Sequence, residues 1–180
     1  MSGLLVVVAV PQEATHIVGT EIVLTGIGKV AAAMSVTRAI IEQRPTSVLN
    51  VGTAGALHDG LEGVHVIGRV IEHDVDHAGL GALIHQELIG EIVLDADADT
   101  TLATGDAFVS DANQRAAIGQ RAHLVDMEGF AVARACQQFE IPCRMVKVVS
   151  DTASEDAAAT WQEQADLTAR EIAAVVEQHL

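Results

Sequence analysis

Residues 125–153 read VDMEGFAVARACQQFEIPCRMVKVVSDTA, and this stretch decides the fold that the sequence predicts. Its first residues close a strand, and a helix then runs until Pro142 ends it. The apolar residues of that helix recur at helical spacing, at Ala131, Val132, Ala135 and Phe139. Residues 143–149 form a nearly continuous apolar run, which is typical of a strand buried on both faces of a parallel sheet. The stretch therefore predicts a strand, a helix and a second strand.

Two carboxylates border this unit. Glu128 opens the predicted helix directly after the first strand, and Asp151 follows the second strand. In an open α/β sheet, ligands bind beyond the carboxyl ends of the strands. Both side chains are therefore expected at one site. Two carboxylates in an apolar setting are candidates for acid and base chemistry.

Elsewhere, apolar runs and glycine turns predict the remaining elements of an α/β fold. The strands cover residues 4–10, 21–25, 47–51, 64–72, 91–94 and 101–104. Helices are predicted over residues 29–43, 112–120 and 160–180. The first helix carries Val30, Met34, Thr37 and Ile41 on one face, and the last should turn Leu167, Ile172, Val175 and Val176 inward. The length of 180 residues predicts one domain over residues 1–180.

The composition limits the classes of function. The formal net charge of −15 repels polyanions, so neither a nucleic-acid polymer nor an anionic membrane surface is an expected partner. The same charge suits a neutral or cationic small substrate. The apolar N-terminus is too short for a membrane span and lacks the basic residues of a signal peptide, so a cytoplasmic location is expected. Cys136 and Cys143 are predicted to be buried free thiols.

Two groups of polar residues suggest metal ligands but do not predict a metal site. The sequence HDVDH at residues 73–77 would point its His and Asp side chains to opposite faces of an extended chain. A polar strand end or a subunit contact is the simpler interpretation. The acidic run DADAD at residues 95–99 lacks the glycine turn and the fuller ligand set of a calcium loop. We therefore expect neither a metal nor a cofactor.

Loops after the predicted strands hold further candidates. Glu13 follows the first strand, and its position alone favours a solvated loop carboxylate. Residues 26–29, GIGK, lack the spacing of a phosphate loop and predict a tight turn. Residues 52–56, GTAGA, flank a hydroxyl with glycines that let the backbone approach a ligand. Taken alone, Phe108 and Trp161 are predicted to pack in the protein interior.

The order of these motifs resembles the nucleoside phosphorylase/nucleosidase superfamily. The segments PQE, GIGKVAAA, NVGTAGAL, HDVD, TGDAF, DMEG and VSDTA follow one another as they do in that family, over nearly the whole chain. The resemblance is greatest to the 5′-methylthioadenosine/S-adenosylhomocysteine nucleosidases. It implies a three-layer α/β/α fold around a central mixed, mostly parallel sheet, and a homodimer. It also implies hydrolysis of the N-glycosidic bond of a purine nucleoside.

The resemblance also implies roles for individual residues. Asp151 would donate a proton toward N7 of the purine, Glu128 would bind the ribose hydroxyls, and Glu13 would activate the attacking water. The ring of Phe108 would stack on the purine, and the backbone of Val109 would read the edge of the base. Contacts with the substrate or the water are further implied for Val10, Thr53, Ala54, Met127, Lys147 and Ser150.

The chain also departs from the family pattern. Asn50 stands where similar phosphorylases tend to carry an arginine that clamps phosphate, which favours water as the nucleophile. Lys147 replaces an arginine, and residues 79–90 lack the usual longer insertion. Three alternatives therefore stay open. They are a phosphate-dependent phosphorylase, a nucleosidase for another 5′-modified nucleoside, and a nucleoside-binding protein with degraded catalysis.

Overall fold

The computed structural model describes residues 3–180, which form one eight-stranded sheet and five helices. The strands are β1 (Leu4–Val8), β2 (Ile22–Leu24), β3 (Ser47–Ala56), β4 (Val64–Glu72), β5 (Glu91–Val93), β6 (Thr100–Thr104), β7 (Leu124–Asp126) and β8 (Cys143–Asp151). The helices are α1 (Lys29–Gln43), α2 (His77–Ile84), α3 (Ala112–Gly119), α4 (Gly129–Gln138) and α5 (Ala157–Glu177).

The sheet is mixed and mostly parallel, as the resemblance implied. Strand β1 pairs in parallel with β2 and β3, and β3 pairs in parallel with β8. Strand β4 pairs in parallel with β6 and antiparallel with β5 and β8. Strand β7 pairs in parallel with β6 and antiparallel with the end of β3. The pairings β3–β8–β4–β6–β7–β3 therefore close five strands into a ring.

Helices cover both faces of the sheet, which confirms the three-layer arrangement. Side chains of a strand alternate between the two faces. Val7 of β1 packs into a cluster with α1 and α4, whereas Val6 and Val8 pack into a cluster with α5. The central strands are therefore buried on both sides, which explains their continuous apolar runs.

The two predicted helix faces need correction. On α1, Val30 and Met34 are each 70% exposed, while Val36 and Ile40 of another face are buried against the sheet. On α5, Leu167 is exposed, although the other residues predicted to turn inward are buried. Both helices carry apolar residues on more than one side, and the sequence pattern alone does not choose between them.

Smaller differences concern element bounds and burial. Strand β3 continues to Ala56 instead of ending near residue 51, and α2 was not predicted. Phe139 lies just after α4 and is partly exposed. Cys136 is buried, whereas Cys143 is only partly buried, and both are free thiols. Within residues 3–180, no helix combines the length and the apolar character needed to cross a membrane.

Candidate active site

A cavity of about 220 Å³ lies at the carboxyl ends of β1, β7 and β8, beside the second half of β3. Strands β1, β3 and β8 are parallel, so their ends meet at one edge of the sheet. All the predicted site residues except Lys147 line this cavity. They are Val10, Glu13, Thr53, Ala54, Phe108, Val109, Met127, Glu128, Ser150 and Asp151.

Glu13 is a buried carboxylate held by β3 and not a solvated loop residue. Its Oε1 atom accepts hydrogen bonds from the backbone N–H of Thr53 at 2.7 Å and from the Thr53 hydroxyl at 2.6 Å. Its Oε2 atom is buried and has no hydrogen-bond partner among residues 3–180. A Cβ atom on Gly52 would lie 3.3 Å from both oxygens, so glycine at this position permits the close approach.

Glu128 lies at the N-terminus of α4 and is also buried. Its Oε1 atom accepts a hydrogen bond of 2.9 Å from the backbone N–H of Gly28, whose φ of +91° favours glycine. Burial, and then the charge of Asp126, raise the pKa of Glu128 to about 7, although Lys147 and the Gly28 N–H act in the opposite direction. Glu128 therefore holds its proton more tightly than an ordinary carboxyl group does.

Lys147 lies behind the cavity wall and is only 2% exposed. Its Nζ atom is 2.9 Å from Oδ2 of Asp126. Burial alone would lower the pKa of Lys147, but the charges of Asp126, Glu128 and Glu13 outweigh burial and raise it. Lys147 is therefore a fixed positive charge among three carboxylates.

Asp126 is a residue of the cavity that the sequence analysis did not select. Its Oδ1 atom accepts a bond of 2.6 Å from the Thr104 hydroxyl, and its Oδ2 atom accepts one of 2.9 Å from the Gly129 N–H in addition to the Lys147 contact. A signal was available, because a lysine inside the apolar run of β8 requires a buried counter-ion. The sequence did not say which acidic residue supplies it.

Asp151 is oriented by its own strand end. Its Oδ2 atom accepts a hydrogen bond of 2.8 Å from the Ser150 hydroxyl, and its Oδ1 atom accepts one of 2.8 Å from the Ala153 N–H. A Cβ atom on Gly55 would lie 3.0 Å from Oδ1, so the glycine of β3 makes room for this carboxyl group. The side chain is held in one orientation at the cavity.

Two aromatic residues border the cavity instead of packing in the interior. Phe108 is 49% exposed, and its neighbour Val109 is buried. Trp161, in the second turn of α5, donates a hydrogen bond of 3.1 Å from Nε1 to the Thr53 hydroxyl. The family motif TGDAF had already marked Phe108 as a site residue, whereas no motif marked Trp161.

The HDVDH segment contacts both the first residue of α1 and the loop that precedes Phe108. Lys29 Nζ lies 2.6 Å from both Glu72 Oε1 and Asp74 Oδ1, which places this lysine in an acidic cluster. Asp106, in the loop before Phe108, accepts from the Lys29 N–H at 2.8 Å and donates from its own N–H to Asp74 at 2.9 Å. Across residues 3–180, no group of three or more His, Cys, Asp or Glu side chains is arranged to hold a metal ion.

Comparisons with known proteins agree with this architecture. The sequence model of the phosphorylase superfamily matches residues 14–180, so fold and site define a member of that superfamily. A 5′-methylthioadenosine/S-adenosylhomocysteine nucleosidase of Bacillus cereus is 33% identical over 177 residues, covering 84% of this chain and 77% of the relative. The chain belongs to this nucleosidase family.

Solved structures show the same fold. The 5′-methylthioadenosine/S-adenosylhomocysteine nucleosidase from Neisseria meningitidis, in complex with methylthio-immucillin-A, is 27% identical with a TM-score of 0.83, and the match covers 96% of each chain. The futalosine hydrolase of Helicobacter pylori is 23% identical with a TM-score of 0.85, covering 97% of this chain and 95% of the other. At that identity the likeness to futalosine hydrolase concerns the fold alone.

Proposed function

We propose that this chain hydrolyses the N-glycosidic bond of 5′-methylthioadenosine or S-adenosylhomocysteine, giving adenine and the free thioribosyl sugar. The observation that carries the proposal is the convergence of three buried carboxylates, Glu13, Glu128 and Asp151, on one cavity. Membership of the nucleosidase family supports the choice of reaction and substrate. A cytoplasmic location stays a prediction from the sequence.

In the proposed reaction each carboxylate has a different task. Asp151 in its protonated form donates toward N7 of the purine, and the Ser150 hydroxyl can accept from or donate to it. General acid catalysis of this kind contributes roughly 10²–10⁴-fold in rate. Glu128, as a carboxylate, accepts hydrogen bonds from the ribose hydroxyls, and its charge favours the cationic transition state.

Glu13 is proposed as the base that activates water. Its Oε1 atom is occupied by Thr53, and a buried acceptor without a partner is costly, so Oε2 is the oxygen that would bind the water. Phe108 at the cavity mouth would stack on the purine, and Val109, Met127, Ala54 and Val10 would line its surroundings. Lys147 would act through Asp126 and Glu128 instead of touching the substrate.

Water is favoured over phosphate as the nucleophile. Phosphate sites in proteins typically use arginine or lysine. Among residues 3–180, the side chains that line the cavity include neither. Asn50, which replaces the arginine of similar phosphorylases, is buried within the sheet and donates to the Val7 carbonyl at 3.1 Å.

A second candidate is hydrolysis of a nucleoside with another 5′ substituent. Residues 79–90 carry the shortened segment, and none of them lines the cavity. The described chain therefore offers few contacts that would select one 5′ group. This candidate keeps the same chemistry and the same three carboxylates.

The test is release of free base from methylthioadenosine, S-adenosylhomocysteine, adenosine and inosine, with and without phosphate. We expect adenine and free sugar from the first two, at rates independent of phosphate. Asp151→Asn should abolish turnover and leave binding, measured by calorimetry, largely intact. Release that requires phosphate would identify a phosphorylase, and binding without turnover in the unaltered chain would identify a binding protein.

We also propose a homodimer. A helix with a solvent-facing side normally carries polar residues there. Here α1 exposes Val30, Met34 and Ile41, and α2 exposes Leu80, Leu83 and Ile84. Lys29 and His77 both bind Glu72, which holds the first turns of the two helices near each other. A second copy of this chain would cover these apolar faces.

Sedimentation of the purified chain should give twice the mass of one chain. The double variant Met34→Glu with Ile41→Glu should sediment as a monomer, because charge on α1 would be buried in the dimer. Leu167→Glu is the matched control, since Leu167 is also an exposed apolar residue but lies on α5, on the other face of the sheet. An unaltered chain that sediments as a monomer would contradict the proposal.

A further inference from the structure

Trp161 is the single tryptophan of the chain, and it reaches the site from α5. Its indole Nε1 lies 3.1 Å from Thr53 Oγ1, and Thr53 Oγ1 lies 2.6 Å from Glu13 Oε1. Residues 161 and 53 are 108 positions apart in the sequence. Three residues from different parts of the chain thus form one hydrogen-bonded line that ends on Glu13.

The direction of these bonds follows from the chemistry of the groups. An indole N–H only donates, so the Thr53 oxygen accepts from Trp161. The threonine hydroxyl has a single proton, and that proton is then left for Glu13 Oε1. The Thr53 N–H donates to the same oxygen at 2.7 Å. Oε1 of Glu13 is therefore held by two donors, while Oε2 has no partner among residues 3–180.

We propose that Trp161 is a positioning residue for the attacking water. Its N–H, acting through the Thr53 hydroxyl, fixes the rotation of the Glu13 carboxylate so that Oε2 alone receives the water. This inference rests on the proposed function, because water attack is the step that Glu13 serves. A purely packing role for Trp161 would depend on the area of its ring and not on its N–H group.

Trp161→Phe separates the two roles, because phenylalanine keeps an aromatic ring at the cavity wall and removes the donor. One neutral hydrogen bond is worth a factor of about 2–10 in an equilibrium or a rate. We expect kcat for adenine release to fall by about that factor, while KM changes little because the wall is retained. Phe139→Leu is the control for an aromatic replacement outside the site, since Phe139 follows α4 and does not line the cavity.

A double-mutant cycle tests whether Trp161 acts through Thr53. Thr53→Val removes the hydroxyl and keeps the shape of the side chain. If the line of bonds is real, adding Trp161→Phe to Thr53→Val causes no further loss, because residues in one network are not additive. Adding it to Thr53→Ser, which keeps the hydroxyl, should still reduce kcat. Losses that multiply in the Thr53→Val background would overturn the inference.

Nuclear magnetic resonance gives a readout that does not depend on turnover. The single tryptophan produces one indole N–H resonance, and Thr53→Val should move its proton upfield by removing the acceptor. An unchanged resonance would overturn the inference. The unaltered chain is assayed in parallel, so the two proposals fail differently. An inactive unaltered chain contradicts the proposed function, whereas an active chain with an unaffected Trp161→Phe variant contradicts only the role of Trp161.

Discussion

Two walls of the cavity hold their carboxylates in different ways. On the Glu13 wall, formed by Glu13, Thr53 and Trp161, uncharged donors hold one carboxylate oxygen. On the Lys147 wall, formed by Asp126 and Glu128 with Lys147 behind them, two carboxylates share the field of a buried cation. Neutral donors set orientation, whereas a buried cation sets the state of charge. The first wall orients the Oε2 atom of Glu13, and the second wall controls the protonation of Glu128.

The largest effect is expected from a substitution that removes the reactive carboxylate of the Glu13 wall. Glu13→Gln keeps the shape of the side chain and an acceptor for Thr53, but it deletes the proposed base. We expect kcat to fall by about 10²–10⁴-fold. The rate of adenine release measures this, and substrate affinity by calorimetry should change little. A variant with near-normal kcat would show that another group activates the water.

On the Lys147 wall the expected loss is in stability. Lys147→Met leaves Asp126 and Glu128 buried without their cation, and breaking such a pair costs about 3–5 kcal/mol of unfolding free energy. Urea unfolding measures the difference. Lys147→Arg keeps the charge and is the matched control, with a smaller loss because the larger head group must fit the same site. A methionine variant as stable as the original chain would show that Lys147 does not stabilise the buried carboxylates of Asp126 and Glu128.

The sequence predicted some features of the two walls and missed others. The strands that place Glu13, Glu128 and Asp151 follow from local apolar runs, which need no knowledge of distant residues. For that reason the fold class and the placement of these candidates at strand ends were accessible. The sequence did not predict which face of α1 points outward, since that depends on which other elements cover the helix.

Partners far apart in the sequence were also inaccessible. Asp126 becomes important only because Lys147 of β8 lies beside it, and Trp161 only because α5 brings it to Thr53. Neither pairing follows a fixed spacing, so no local pattern marks it. The family resemblance pointed to Lys147 as a departure, but it did not identify its counter-ion.

The next effect is a shift in pH dependence that belongs to the Lys147 wall. The pKa of Glu128 is raised from 4.5 to about 7, so the proposed substrate-binding carboxylate is lost as pH falls through about 7. We expect kcat/KM to fall on the acidic side of that value, because kcat/KM reports ionisations of the free enzyme. Asp126→Asn removes one cause of the raised pKa, so the midpoint should move to lower pH.

The asparagine variant keeps most of the hydrogen bonds of Asp126. Its amide oxygen can accept from the Gly129 N–H and from Lys147, and its amide N–H can donate to Thr104 Oγ1, so only the Thr104 hydroxyl proton loses its acceptor. Asp59→Asn is the control, since Asp59 pairs with Arg115 at the surface and should leave the midpoint unchanged. A midpoint that moves to higher pH in Asp126→Asn would mean that the ionisation belongs to another group.

The smallest expected effect comes from a change that slightly displaces the Glu13 carboxylate. A Cβ atom on Gly52 would lie 3.3 Å from both oxygens of Glu13, which is tight enough to displace them by a few tenths of an ångström. Because small misplacements of reacting groups reduce rates, Gly52→Ala should lower kcat by roughly 3–10-fold, with little change in urea stability.

Gly119→Ala of α3 is its control, because there the added Cβ comes no closer than 3.4 Å to its neighbours. That variant should keep the original kcat and change stability little, because Gly119 is the last residue of α3. A Gly52→Ala variant with full activity would show that Glu13 tolerates movement. That result would contradict the view that Thr53 and Trp161 raise the rate by fixing the orientation of the Glu13 carboxylate.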